Sequence, residues 1–124
     1  MPPVVADRLR DGRAIGAVLR GRRKRAGERL VVHVLERGDD LPARLAVVAS
    51  RRVGGAVQRN RAKRLLREAA RTCSFRSGID VVLVARAACA HSGLAEVARD
   101  LDDAVQALGI AERPPVGAAT EVAP

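Results

Sequence analysis

The chain has almost no aromatic side chains. Its 124 residues include one Phe, Phe75, and neither Trp nor Tyr. Recognition of nucleobases by stacking on aromatic platforms is thereby excluded. Cysteine is limited to Cys73 and Cys89, too few for a disulfide framework or a four-ligand zinc site, and the pair forms no CxxC. The two histidines, His33 and His91, have no partner at metal-ligand spacing. No apolar run is long enough to span a bilayer. Residues 1–10 lack the apolar stretch and small-residue cleavage site of a secretory signal. The carboxylates form no close pair beside an apolar pocket, since the neighbours Asp102 and Asp103 diverge on a helix. Gly54-Gly55 is not a phosphate-binding P-loop. No catalytic residue and no metal ligand are therefore assigned. What remains is a soluble, single-domain, intracellular protein, expected in the cytoplasm without an obligate protein partner.

Positive charge is what the chain has. Lys and Arg number 23 against 14 acidic residues, giving a net charge of +9, and only Lys24 and Lys63 are Lys. The balance is uneven: residues 1–87 hold 21 basic and 8 acidic side chains, residues 88–124 hold 2 and 6. Nine basic residues lie between Arg8 and Arg29, and eight between Arg51 and Arg71, where Glu68 is the one acid. Such clusters fit a polyanion, and Arg pairs with phosphate oxygens through a planar, two-pronged donor set. A membrane surface fits less well, because no basic amphipathic segment carries bulky apolar anchors. The candidate classes are an RNA-binding or ribosomal-type protein, a nuclease and a DNA-binding regulator. The last is disfavoured because no second helix forms a helix-turn-helix with the basic one.

Hydrophobic periodicity predicts an α+β domain, a small sandwich of three helices on a mixed sheet. A short helix is expected from Gly12 to Leu19, ended by Gly21, followed by a basic loop GRRKRAGER. LVVHVL from Leu30 and RLAVVAS from Arg44 read as strands, and their spacing suits an antiparallel hairpin. A helix over 57–73 places Ala62, Leu65, Leu66, Ala69 and Cys73 on one side. Asn60, Lys63, Arg64, Arg67 and Arg71 fall opposite, with Arg59 and Arg61 at the margins. Gly54-Gly55 precedes it where the backbone must turn sharply. IDVVLVA from Ile79 reads as a central buried strand, so residues 44–85 would form a strand–helix–strand crossover. Ser92 is predicted to cap a last helix, 93–108, with Glu96, Asp100 and Asp103 facing solvent. Residues 1–7 read as a flexible lead-in and 109–124 as a disordered tail rich in Pro, Gly and Ala.

The segment Ser50 to Ala69, S-R-R-V-G-G-A-V-Q-R-N-R-A-K-R-L-L-R-E-A, resembles the signature of the protein subunit of bacterial ribonuclease P. That pattern is a strand-end Ser, two basic residues, V-G-N-A-V, then R-N-R-x-K-R-x-x-R-E. Arg8-Leu9-Arg10, LVVHVL and the Gly78 to Arg86 stretch also stand where the family has them, so residues 8–108 are covered. The resemblance implies a left-handed crossover around the basic helix, against the usual hand. It implies promotion of 5′ leader removal from precursor tRNA, with the chemistry on a catalytic RNA subunit that binds magnesium ions. Arg51, Arg52, Arg59, Asn60, Arg61, Lys63, Arg64 and Arg67 would contact that RNA or its bound ions, while Gly54, Ala56 and Val57 shape the loop. Ile15, Leu19, Val31, His33, Val48 and Ser50 would line a groove for the leader. The chain departs from the family in lacking the usual Phe at position 15 and in carrying Gly55 where Asn is common.

Overall fold

A computed structural model describes residues 6–112. In chain order the elements are β1 (Asp7–Arg8), α1 (Gly12–Arg20), β2 (Lys24–Ala26), β3 (Leu30–Glu36), β4 (Arg44–Val48), α2 (Ala56–Ala70), β5 (Ile79–Ala85) and α3 (Leu94–Leu108). Short 3-10 turns lie at Arg51–Val53 and Ala87–His91. The strands form one mixed sheet in the order β1-β4-β5-β3-β2. The α+β class and the strand–helix–strand crossover are those expected, and β5 is central.

The hairpin is not. β3 and β4 are not neighbours: β5 lies between them, antiparallel to β3 and parallel to β4. The reason is the composition of β5, whose seven residues are buried apart from a half-buried Val84. A strand apolar on both faces belongs inside a sheet, and pairing β3 with β4 would have left it at an edge. The connection between β3 and β4 therefore spans two strand spacings, roughly 10 Å. It is wound around the guanidinium of Arg37, which donates to Asp39, to the carbonyls of Leu41, Pro42 and Ile79, and to Asp80. Gly78 closes this knot: its φ is +82°, and a Cβ there would sit 2.4 Å from the Asp39 carbonyl oxygen.

Two layers of helix cover the sheet. On one face Leu30, Val32, Val34, Val81 and Leu83 join Ala62, Leu66 and Ala69 of α2 and Val97 and Leu101 of α3 in the main core. On the other, Val18 of α1 packs with Leu9, Ala46 and Val82. The predicted apolar side of α2 is the buried one, except that α2 ends at Ala70 and Cys73 lies beyond it, half-buried. Asp11 caps α1 by accepting from the Arg13 N–H, and Gly21 ends it as expected.

Five further expectations are corrected. The lead-in is ordered from its end inward: Asp7 and Arg8 pair in parallel with Arg44 and Leu45, while residues 1–5 lie outside the described residues. The basic loop contains strand β2, which pairs with β3 through Lys24, Arg25 and Ala26. Ser92 does not cap α3. Gly93 holds that position, its N–H donating to Glu96, and the Ser92 hydroxyl instead bridges the Ala88 carbonyl and Arg29. Asp100 does not face solvent but accepts from the Arg29 guanidinium and N–H, fixing the β2–β3 turn to α3. The tail, finally, begins as structure: Gly109 adopts the left-handed conformation that ends α3, Ile110 is fully buried and Ala111 bridges to Phe75. Residues 113–124 lie outside the described residues.

Asp80, the one polar residue of β5, has a side chain only 3% exposed and accepts from Arg37 and Arg44 at 2.7 Å. Burial opposes its ionisation, but hydrogen bonds and charge from both guanidiniums outweigh this and hold the carboxyl below its usual range. Its stabilisation is therefore present above the ordinary carboxyl value of about 3.9 and fades as pH falls through the lower folded value. Asp80→Asn should destabilise the fold by about 3 kcal/mol in urea unfolding at neutral pH, since it strands two arginines beside the core. The gap between parent and variant should narrow in acid.

Candidate nucleic-acid interface

The sharp turn before α2 is made by Gly54, with φ +140° and room for no Cβ, which would lie 2.9 Å from the Gln58 Cβ. Gly55 at the N-cap has ordinary extended dihedrals and supplies no capping side chain. The Asn common in the family would fit there with a gain of a few tenths of a kcal/mol. From this turn the helix runs with Ala62, Leu65 and Leu66 buried and Asn60, Arg64 and Arg67 exposed. Arg51 and Arg52 are exposed on the preceding 3-10 turn, and Arg59 and Lys63 are half-exposed.

Among the described residues, eight ion pairs form, and all use Arg23, Arg29, Arg37, Arg44 or Arg76. None reaches the turn at 51–53 or α2, and Glu68 pairs with nothing on its own helix. The acids that do pair lie in the β2–β3 turn, at the end of β3, in the β3–β4 loop, on the central strand β5 and on α3. The cationic side of α2 is left uncompensated, and like charges at i, i+4 spacing disfavour a helix by about 0.2–0.5 kcal/mol per pair.

Two predicted contact residues bond within the fold: Arg59 donates weakly from Nη1 to the Gly54 carbonyl at 3.5 Å, and Arg61 is the more fully engaged. Arg61 donates from Nε to the Ala90 carbonyl at 2.9 Å and from Nη2 to the Ser92 carbonyl at 3.3 Å. It thus pins the 3-10 turn at Ala87–His91 against α2, a role that helical-wheel reasoning misses because the acceptors lie about thirty residues away in sequence.

The six predicted groove positions converge on the face that carries α1. Register places Val31, Val84 and Val48 in one row across the sheet, and His33, Val82 and Ala46 in the next. Ile15, Leu19, Val48 and Val84 are half-buried and pack together at the margin of the small core. Ser50 stands at the end of β4, where its hydroxyl accepts from the Arg52 N–H. His33 is buried, with no hydrogen-bond partner for Nδ1 and Lys24 opposite it on β2. Burial and that ammonium both hold its pKa below the usual value, so the imidazole is neutral at pH 7. Phe75, the single aromatic, is 4% exposed in the main core and offers nothing to a base. A cleft lies elsewhere, at the β1–β4 edge: it has a volume of about 570 Å³ and takes only Ile15 from the groove set and Arg67 from the helix set.

A five-stranded mixed sheet with one helix on one face, two on the other and an unneutralised cationic crossover helix defines a class of small, basic α+β domains. Within that class, a family model for ribonuclease P matches residues 5–109. A ribonuclease P protein component of Nocardioides sp. is 42% identical over 84% of this chain and 92% of its own. One of Symbiobacterium thermophilum is 36% identical over 87% and 96%. One of Dehalococcoides mccartyi is 49% identical over a shorter stretch, in which the chain spans about half (48%) of that relative. The fold resembles the RNase P protein of Thermotoga maritima, with TM-score 0.66 and 27% identity over 78% of this chain and 93% of that one. It also resembles that of Staphylococcus aureus, with TM-score 0.72 and 20% identity over 86% and 99%. This chain belongs to the ribonuclease P protein family.

Arg61→Ala should lower stability by about 1.5 kcal/mol, as expected for loss of charge-assisted hydrogen bonds to buried-side carbonyls. Lys63→Ala should change it by less than about 0.5 kcal/mol. Thermal melts of the two variants beside the parent distinguish a pinning arginine from a free one.

Proposed function

We propose that this chain is the protein component of a ribonuclease P: it binds the catalytic RNA subunit and the 5′ leader of precursor tRNA, and so promotes leader removal. The observation that carries the reading is the unpaired cationic set on α2 and its preceding turn, inside a fold whose family is established. Arg51, Arg52, Arg59, Asn60, Lys63, Arg64 and Arg67 hold the RNA subunit, and Arg61 contributes through its remaining donor while it pins the 3-10 turn. The leader lies on the sheet face beside α1, along Ile15, Leu19, Val31, Val48 and Ser50, with neutral His33 as a polar contact in the next row.

The bond chemistry belongs to the RNA subunit and its magnesium ions. Among the described residues no group of three or more His, Cys, Asp and Glu side chains is placed to hold a metal, and the ions are assigned mainly to the RNA. The protein acts through charge. Phosphates of two RNAs repel as they approach, and a cationic helix between them lowers that repulsion, which tightens substrate binding and reduces the magnesium needed. Work on precursor tRNA puts the protein in the cytoplasm.

Cleavage of precursor tRNA at low magnesium, by the RNA subunit with and without this protein, tests the proposal. A large gain with protein, and none from protein alone, is expected. No gain despite tight, salt-sensitive binding would make the chain a general RNA-binding protein. Affinity for the RNA subunit should fall with salt at a log–log slope of roughly −0.7 to −0.9 per phosphate contacted, and a slope near zero would remove the electrostatic account.

The aliphatic groove leads to a second expectation. With Ile15 in place of an aromatic ring, leader contact lacks stacking, worth about 1–3 kcal/mol per base where it occurs. Ile15→Phe should therefore make precursor binding depend more steeply on leader length, measured with a series of truncated leaders.

A further inference from the structure

The cleft at the sheet edge is walled by four arginines, of which the reading above uses only Arg67. Arg8 and Arg10 enter it from β1 and the residues after it, Arg67 and Arg71 from the end of α2, and Asp7 is its one carboxylate. All four arginines are exposed, and among the described residues none of their side chains makes an ion pair or hydrogen bond. Strand alternation sorts the charges. Asp7 pairs in register with Arg44, on the α1 face, whereas Arg8 pairs with Leu45, which packs on the core beneath α2. The carboxylate and the Arg8 guanidinium thus leave the strand on opposite sides, and the side toward α2 is walled by guanidinium groups.

Cations near the C-terminus of a helix are favoured by its dipole, which accounts for Arg67 and Arg71. It does not account for Arg8 and Arg10, which approach the same space from a different element. Four converging like charges are tolerated in a concave site when an anion occupies it. The lining adds direction: Leu9, Ile15 and Ala46 belong to the α1 side of the sheet, and Leu45, Val47 and Ala70 to the α2 side. The cleft is the passage around the β4 edge between the two surfaces.

We infer that this cleft binds the phosphodiester backbone of an RNA strand, with Arg8, Arg10, Arg67 and Arg71 taking its phosphates as the strand rounds the sheet edge. The inference deepens the ribonuclease P reading and rests on it. The strand belongs either to the RNA subunit or to the precursor's leader, which present the same phosphate chemistry.

The test uses the full chain with Arg8, Arg10 and Arg71 all changed to Gln, leaving Arg67 untouched, beside a version with the same three changed to Lys. Binding to the RNA subunit alone, and to leader-bearing and mature tRNA in its complex, is followed across a salt series, and circular dichroism confirms the fold. The Gln variant should bind about tenfold or more weakly near physiological salt, with a log–log slope shallower by about two, and the Lys variant should retain the slope. A loss seen with the RNA subunit alone assigns the strand to that RNA. A loss seen only with leader-bearing precursor assigns it to the leader. Parental binding by the Gln variant on every RNA, while Lys63→Ala is weakened, would overturn the cleft and leave the ribonuclease P reading standing. A Lys variant as weak as the Gln variant would also overturn it, because charge would not be what the cleft supplies. If the parent itself neither binds nor stimulates the RNA subunit, the wider reading fails and the cleft with it.

Discussion

Ile79–Ala85 presents apolar side chains to both faces of the sheet, so it is stable only with a strand on each side and helices above and below. That requirement places β3 and β4 on either flank of β5 and forces their connection to bridge over it. Because β4 and β5 are parallel, the chain between them must leave the sheet, cross a face and return. α2 is that crossing. Its apolar side is pressed on β4 and β5 by the same burial that fixes the strand order, and apart from Arg61, which is held by the turn at Ala87–His91, its cations point outward. The cationic surface is thus a consequence of where β5 sits.

Charge is partitioned by the same packing. Asp80 is tolerated in the central strand because Arg37 and Arg44 reach it, and Arg37 in turn organises the loop that spans β5. Asp100 and Glu96 on α3 fold the β2–β3 turn inward through Arg29. Glu36, on the last residue of β3, pairs with Arg23 and Arg76. Each acid neutralises a cation that the fold uses as a brace. Left without an acid partner among the described residues are the turn at Arg51–Val53, the outer side of α2 and the arginines of the edge cleft.

Much of this was legible in one dimension, and the failures share a cause. The helices and the three long strands follow from local periodicity, and the burial of Ala62, Leu65, Leu66 and Ala69 follows from a helical wheel. Nothing local says which strand lies between which, so a short connection with turn residues passed for a hairpin. β1 and β2 are two and three residues long with exposed side chains. They are strands only because β4 and β3 have edges to pair, which no local pattern records. Ser92 and Arg61 misled for the same reason: each has a plausible local role, as a cap and as a free cation, and each is taken by a partner distant in sequence. The edge cleft likewise joins residues around position 8 to residues around position 70, and the basic count of either segment alone does not reveal it.

The scarcity of aromatics acts on the two faces differently. Phe75 is committed to the core, where with Ala111 it holds the end of the chain after α3, so the exposed sheet face is left with Val31, Val48, Val84, Ile15 and Leu19. An aliphatic strip excludes water and packs against ribose and base edges, but it has no π-face to favour one base over another. Selectivity must then come from groups that can be satisfied in only one way, and on that face the candidates are few. His33 is held neutral, but with no partner on Nδ1 to set its tautomer the ring can offer Nε2 as a donor or as an acceptor, so it too discriminates little. In the proposed function, the remaining grip on a leader crossing this face would come from its phosphates, which are sequence-blind. Such a groove would hold many leaders nearly alike, which would suit substrates that share a tRNA body but differ in what precedes it.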